Sequence, residues 1–148
     1  HLLAAPPQVV EYEINVQAGE EYVFCLLANP TRKIDTKTGP DGKKNNGRRV
    51  PVKFEKLVEW LENRSRDGGF ELNRENISIE TSYVYWCKDK SQGTKRFFAA
   101  RYRGVLTVKE PKRFTSTLIS GVGSGKSFGF GLFTIKRLMR TVANHESA

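Results

Sequence analysis

Residues 121–131, GVGSGKSFGFG, join two stretches of opposite periodicity. Upstream, Pro111 opens a short helical pattern with Phe114, Leu118 and Val122 along one side. Downstream, GFGLFTI (129–135) reads as a strand. A glycine-rich link from helix into strand is the reverse of a phosphate-binding P-loop, which leaves a strand and opens a helix so that the helix N-terminus faces the phosphates. The letters fail too. Gly125, Lys126 and Ser127 supply the end of a Walker motif, but Ser120 stands where its first glycine belongs, and the chain ends too soon after Ser127 to complete an NTPase sheet. A dinucleotide fingerprint starting at Gly121 and Gly123 would need glycine at position 126, which is Lys.

Working outward, the other elements fall into an order. Val10, Tyr12, Ile14 and Val16 alternate with polar residues, the period of a half-buried strand. EYVFCLLAN (21–29) is nearly all apolar, as a strand covered on both faces would be. Residues 31–46 are polar and basic and read as a loop. Phe54, Leu57, Val58 and Leu61 predict a helix over 52–64 that RDGG ends. Residues 77–86 and 96–108, rich in aromatic and β-branched residues, predict a hairpin around KDKSQGTK (88–95). After the leading strand the order is β-α-β-β-α-β. The fold class is therefore α+β, ferredoxin-like: an antiparallel sheet with two helices on one face, plus an extra N-terminal strand. Residues 1–17 form the leading segment and edge strand, 18–141 the domain and 142–148 a tail.

The chain of 148 residues suits one domain, and no apolar run approaches the roughly 20 residues of a membrane helix. Twenty-five Lys and Arg against sixteen Asp and Glu give a net charge of +9, which points to a polyanionic partner, nucleic acid first. Cys25 and Cys87 form no CxxC and sit in strand-like runs, so buried thiols in a reducing cytoplasm are expected, with no zinc site. The chain starts with His1 and shows no signal peptide, so further sequence is expected upstream.

The basic residues cluster. Eight of them (Arg32, Lys33, Lys37, Lys43, Lys44, Arg48, Arg49, Lys53) face only Asp35 and Asp41. The hairpin adds Lys88, Lys90, Lys95, Arg96, Arg101 and Arg103, the last two on one face of a strand and spaced to meet successive phosphates. Stem RNA is read largely through backbone and shape, which suits such a ladder. In the glycine-rich loop, Gly123, Ser124, Gly125, Lys126 and Ser127 are candidate phosphate contacts, backbone N–H groups approaching and Lys126 supplying charge. A plain helix-to-strand turn with Lys126 solvated is the alternative. KSFGFGLF (126–133) also matches the RNP1 strand of RNA-binding domains at Lys126, Phe128, Gly129, Phe130 and Phe133, but fails at Ser127 and Gly131. Phe128 and Phe130 share a strand face with Leu132 and are read as core, with base stacking the alternative.

A glycine-rich loop between the last helix and last strand resembles the signature of the RAMP superfamily of CRISPR-associated proteins. ANPTRK (28–33), GRRVPV (47–52), RGVLTV (103–108) and GVGSGKSFGFGL (121–132) resemble, in order, landmarks of its CasE-type endoribonucleases. The resemblance implies two ferredoxin-like halves, of which this chain is similar to the C-terminal one, and metal-independent cleavage of CRISPR precursor RNA beside a repeat stem-loop. The ribose 2′-OH would attack the adjacent phosphate, leaving a 2′,3′-cyclic phosphate. Partners implied are the repeat RNA, the N-terminal half and other subunits of the Cascade surveillance complex, without membrane or cofactor. The family's catalytic histidine lies in the N-terminal half. His1 and His145 match no such position, so no catalytic residue is assigned. A non-catalytic RAMP subunit that coats guide RNA remains the alternative.

Overall fold

The computed structural model describes residues 6, 8–34, 42, 47–87 and 93–139. Its elements are β1 (Glu21–Ala28), β2 (Thr31–Ile34), β3 (Arg48–Pro51), α1 (Leu57–Gly68), β4 (Phe70–Leu72), β5 (Ser78–Cys87), β6 (Thr94–Val108), α2 (Pro111–Ser120) and β7 (Phe133–Arg137). The main sheet is antiparallel, in the order β4-β6-β1-β7 with β5 also on β6. At 15 residues, β6 is long enough to hold two partners on one edge: β4 pairs with residues 106–108 and β5 with 94–103. With β4 set aside as an accessory, β5-β6-β1-β7 with crossover helices after β1 and β6 is the ferredoxin-like arrangement. A separate ribbon pairs β2 with β3.

Both helices pack on one face. Tyr22, Phe24, Leu26 and Ala28 of β1 meet Ala100, Tyr102, Leu106 and Val108 of β6 under Leu57, Trp60, Leu61 and Phe114. The buried Tyr102 hydroxyl donates to the carbonyl of Leu57 at 3.1 Å, and its ring stacks on Trp60 at 6.1 Å between centroids. The hydrogen bond contributes about 1 kcal/mol, and burial pushes the phenol's pKa upward. The helices meet at a close approach: a Cβ on Gly68 would fall 2.8 Å from the Phe70 ring, while Thr117 Oγ1 donates to the Gly68 carbonyl at 3.2 Å.

Several expectations change. Residues 8–17 join no sheet; Ile14 and Val16 are half-buried, but Val10 and Tyr12 are exposed, so the alternation marks packing without a ladder. Residues 8–17 therefore do not form the extra N-terminal strand that their alternation predicts. β1 is covered on one face only, Val23 remaining exposed. The predicted loop after Pro30 begins with β2, and residues 35–41 and 43–46 lie outside the described ones. A 3₁₀ turn at Phe54–Lys56 precedes α1, which runs on to Gly68. Its buried stripe is Leu57, Trp60, Leu61, Ser65 and Gly68, whereas Phe54 is 64% exposed. The helix ends at Gly69, in the left-handed region at φ 76°, within the predicted RDGG. β7 begins at Phe133, not Gly129, because a 3₁₀ turn occupies Lys126–Phe128. Consequently Phe133 and Ile135 face the core and Leu132 is exposed. Cys25 is half-buried and Cys87 exposed, so neither is the buried thiol expected, and they form no disulfide.

Candidate nucleic-acid interface

The glycine-rich loop is a ring closed at its neck. Val122 N–H donates to the Gly131 carbonyl at 2.8 Å, and Gly131 N–H donates to Leu27 on β1 at 2.7 Å. Inside the ring, Phe128 N–H donates to Gly125 and Gly129 N–H to Lys126. Two glycines are dictated by packing. Gly123 has φ 82°, and a Cβ there would stand 3.1 Å from the Trp60 indole; Gly125 has φ 76°, with its would-be Cβ 3.0 Å from the Phe130 ring. The left-handed region costs an ordinary residue about 1–2 kcal/mol. Part of the glycine richness is thus a requirement of the fold, independent of any ligand.

A polar chain fastens this ring to the β2–β3 ribbon. Asn29, buried just past β1, bridges to Ser124. Ser124 Oγ donates to the Asn29 carbonyl at 3.0 Å and lies 3.1 Å from Thr31 Oγ1, which accepts from Arg49 Nη1 at 3.2 Å. β3 therefore delivers Arg49 beside the loop. Between the ring and the C-terminal halves of α1 and α2 opens a groove of about 350 Å³, lined by Arg49, Arg64, Asp67, Thr117, Ser124 and Lys126 among others. Three cations share it with one carboxylate, and among the described residues none of these four charges is in an ion pair. Such a groove can take an anion with hydroxyl and guanidinium donors around it.

The predicted residues do not all meet here. Gly123, Ser124, Lys126 and Arg49 line the groove. Gly125 lies in the ring behind it, and Ser127 is exposed at the ring's tip. Lys33 and Arg48 are exposed on the ribbon, and Arg32 lines a neighbouring cavity with Lys53 and Trp60. Arg101 and Arg103 project from the sheet face opposite the helices, so they form a second surface. There they flank Glu80 of β5, at 3.8 and 3.0 Å. The expected arginine ladder thus carries a carboxylate between its rungs. Further along the hairpin, Arg96 lies 4.7 Å over the Tyr83 ring and Lys95 6.0 Å over Trp86. Lys88 and Lys90 lie outside the described residues, as do His1 and His145.

Phe128 and Phe130 leave the strand but remain packed. Phe97 holds Phe128 at 4.6 Å and Phe130 at 5.8 Å, with Trp86 edge-on to Phe128 at 5.2 Å. Phe130 is buried, as the core reading required, in a cluster apart from the main core. Sequence reasoning missed Arg64, Asp67 and Trp60. The signal for Trp60 was present, three residues after Leu57 and one before Leu61 on the helix's apolar face. Nothing in the sequence marked Arg64 or Asp67 as neighbours of Lys126. Among the described residues no three His, Cys, Asp or Glu side chains gather as a metal would need, and no helix is long and apolar enough to cross a membrane.

A family model described as CRISPR associated protein matches residues 4–137, nearly the whole chain. The chain belongs to that family. Its resemblance within this CRISPR-associated family is to the CasE-type members. It is 29% identical over 130 residues to the CRISPR-associated endoribonuclease Cse3 of Thermus thermophilus, a match covering 81% of this chain and 57% of the relative. A structure of the CRISPR endoribonuclease Cse3 bound to a 19-nucleotide RNA superposes with a TM-score of 0.69 at 28% identity, over 86% of this chain and 61% of that one. The crystal structure of Cas6e from Escherichia coli K-12 gives 0.69 at 24% identity, over 87% and 66%, a likeness of fold. The chain spans less than two thirds of the length of each of these relatives.

Proposed function

We propose that this chain is the RNA-binding, C-terminal part of a CRISPR precursor-RNA endoribonuclease, and that the groove beside the glycine-rich loop holds backbone phosphates next to a repeat stem-loop. The observation that carries the reading is the cluster of Arg49, Arg64 and Lys126 about a single Asp67 at a loop whose shape is fixed by its own packing. Phosphate contacts of this kind position RNA without specifying sequence. In the parent protein the 2′-OH oxygen would attack phosphorus, the 5′ oxygen would leave, and a 2′,3′-cyclic phosphate would remain. That needs a proton acceptor at one oxygen and a donor at the other. Between His1 and His145 the chain has no histidine, the side chain best tuned for both tasks near neutrality. The catalytic centre is therefore assigned to the remainder of the parent, working in the cytoplasm with repeat RNA and Cascade subunits as partners.

Incubation with end-labelled repeat RNA in EDTA tests this. The expected result is a retarded, intact RNA. Absence of binding at low salt would sink the RNA reading, and rapid cleavage to a cyclic phosphate would place the catalytic centre within these residues. Binding without cleavage even after the remainder of the parent is supplied would favour a non-catalytic guide-coating subunit.

A further inference from the structure

Beside the groove, on the other side of the β2–β3 ribbon, lies a second cavity of about 450 Å³. It falls within the size range of small-ligand sites. Its lining divides by chemistry. Val52 and Trp60 supply an apolar wall, Asn63 an amide that can both donate and accept, and Arg32 and Lys53 two cations. Lys56 and Glu59 complete the lining and pair with each other at 2.7 Å, while neither Arg32 nor Lys53 has a carboxylate partner among the described residues. Trp60 adds an independent observation. The residue is more than nine-tenths buried, and its indole Nε1 is the one buried side-chain nitrogen or oxygen among the described residues that finds no hydrogen-bond partner. An orphaned buried donor costs about 1–3 kcal/mol and calls for an acceptor that the described residues do not provide.

We infer that this cavity binds one unpaired nucleotide of the RNA, its base against Trp60 with an acceptor toward the indole N–H, its edge met by Asn63 and its phosphate by Arg32 and Lys53. The inference rests on the RNA-binding reading above and extends it from the stem to a flanking single strand. Bases inside a stem are stacked and paired, so only an unpaired one can enter a concave site and offer its edge. The Trp60 ring is already stacked on Tyr102, with Arg64 5.6 Å over it, so the base meets the edge of the indole rather than its face, while the cations take the phosphate, as in single-strand recognition.

The test compares two labelled RNAs, a repeat-derived stem-loop with a blunt end and the same stem-loop with unpaired nucleotides on both flanks. The protein should bind the flanked RNA at least fivefold more tightly. Asn63→Ala, which removes the amide, and Lys53→Ala, which removes one cation, should each abolish most of that advantage while leaving blunt-stem affinity unchanged. Equal affinity for the two RNAs overturns the inference. So does an advantage that survives both substitutions, the outcome expected if a resident water alone satisfies the indole. If neither RNA binds, the RNA reading itself fails. A second measurement avoids variants of the cavity: in Trp86→Phe, Trp60 is the sole tryptophan. Its fluorescence should respond to the flanked RNA and not to the blunt one, and an identical response to both would also overturn the assignment.

Discussion

The chain presents positive charge in two places, and they differ in what surrounds the charge. At the glycine-rich loop, Arg49, Arg64 and Lys126 line a groove with one carboxylate, Asp67, and among the described residues none of the four is in an ion pair. On the opposite face of the sheet, Arg101 and Arg103 bracket Glu80, and the Arg103 pair at 3.0 Å is a full salt bridge. Exposed pairs contribute little to stability, about 0–1 kcal/mol, but they neutralise field. A count of cations cannot tell these surfaces apart. The groove's cations are left unneutralised by carboxylates among the described residues, whereas the strand pair is largely neutralised by a neighbour.

The sharpest way to break this comparison is to strip the groove. Replacing Arg49 and Lys126 together by Ala should lower affinity for a repeat stem-loop at least tenfold, reduce the slope of log affinity against log salt by about two, and leave the melting temperature unchanged. Losses no greater than those from Arg101 and Arg103 would erase the distinction. Next in size, Gly123→Ala should destabilise the fold by about 1–2 kcal/mol in denaturant titrations, because a left-handed residue acquires a Cβ against the Trp60 ring. A neutral result would free that glycine for a purely ligand-directed role. A smaller effect, about threefold, is expected for Arg101→Ala with Arg103→Ala, and equally for stems of any sequence. The companion variant Glu80→Gln should raise affinity slightly if RNA reaches this face, and should do nothing if it does not.

The smallest effect concerns Glu20, remote from the groove. A hydrogen bond from the Tyr22 hydroxyl, then one from the Gln17 N–H, with Arg137 nearby, holds its carboxyl below the usual glutamate value of 4.5. A carboxylate lowered in the folded state contributes stability that is present above 4.5 and disappears as pH falls through the folded value. Stability of the Glu20→Gln variant should therefore vary less with pH below 4.5 than that of the parent chain, with the two curves parallel at neutral pH. Parallel curves throughout would mean the hydrogen bonds do not discriminate between the charged and neutral carboxyl.

What could be read in the sequence follows from locality. The β5–β6 hairpin, α2 and the β-α-β-β-α-β order that follows the leading segment, with β2, β3 and β4 added to it, rest on short-range periodicity, and the structure bears them out. β7 begins four residues later than the alternation of Phe128, Phe130 and Leu132 predicts, because three left-handed glycines, 125, 129 and 131, bend the same stretch into a ring. The leading segment shows the converse. Its alternation reflects the partial burial of Ile14 and the packing of Val16 against the core, yet periodicity carries no information about hydrogen-bond partners. The groove was half legible. Arg49 and Lys126 stood out by composition and motif, but Arg64 and Asp67 reach it only through the crossing of α1 over the sheet, a long-range fact no local pattern encodes.

The closed neck of the glycine-rich ring has a consequence for how this protein can vary. Residues 122–125 and 130–131 are committed: they bond across the neck, touch Trp60 or face Asn29. The tip is not. A Cβ added at Gly129 would meet nothing within 4 Å, and Lys126 and Ser127 are exposed. Since closing a loop costs only about 0.6 kcal/mol more for each doubling of its length, residues could be inserted at this tip while the neck and the groove stay where they are. Reach toward a bound partner could then be tuned by lengthening one short tip rather than by rebuilding the domain beneath it.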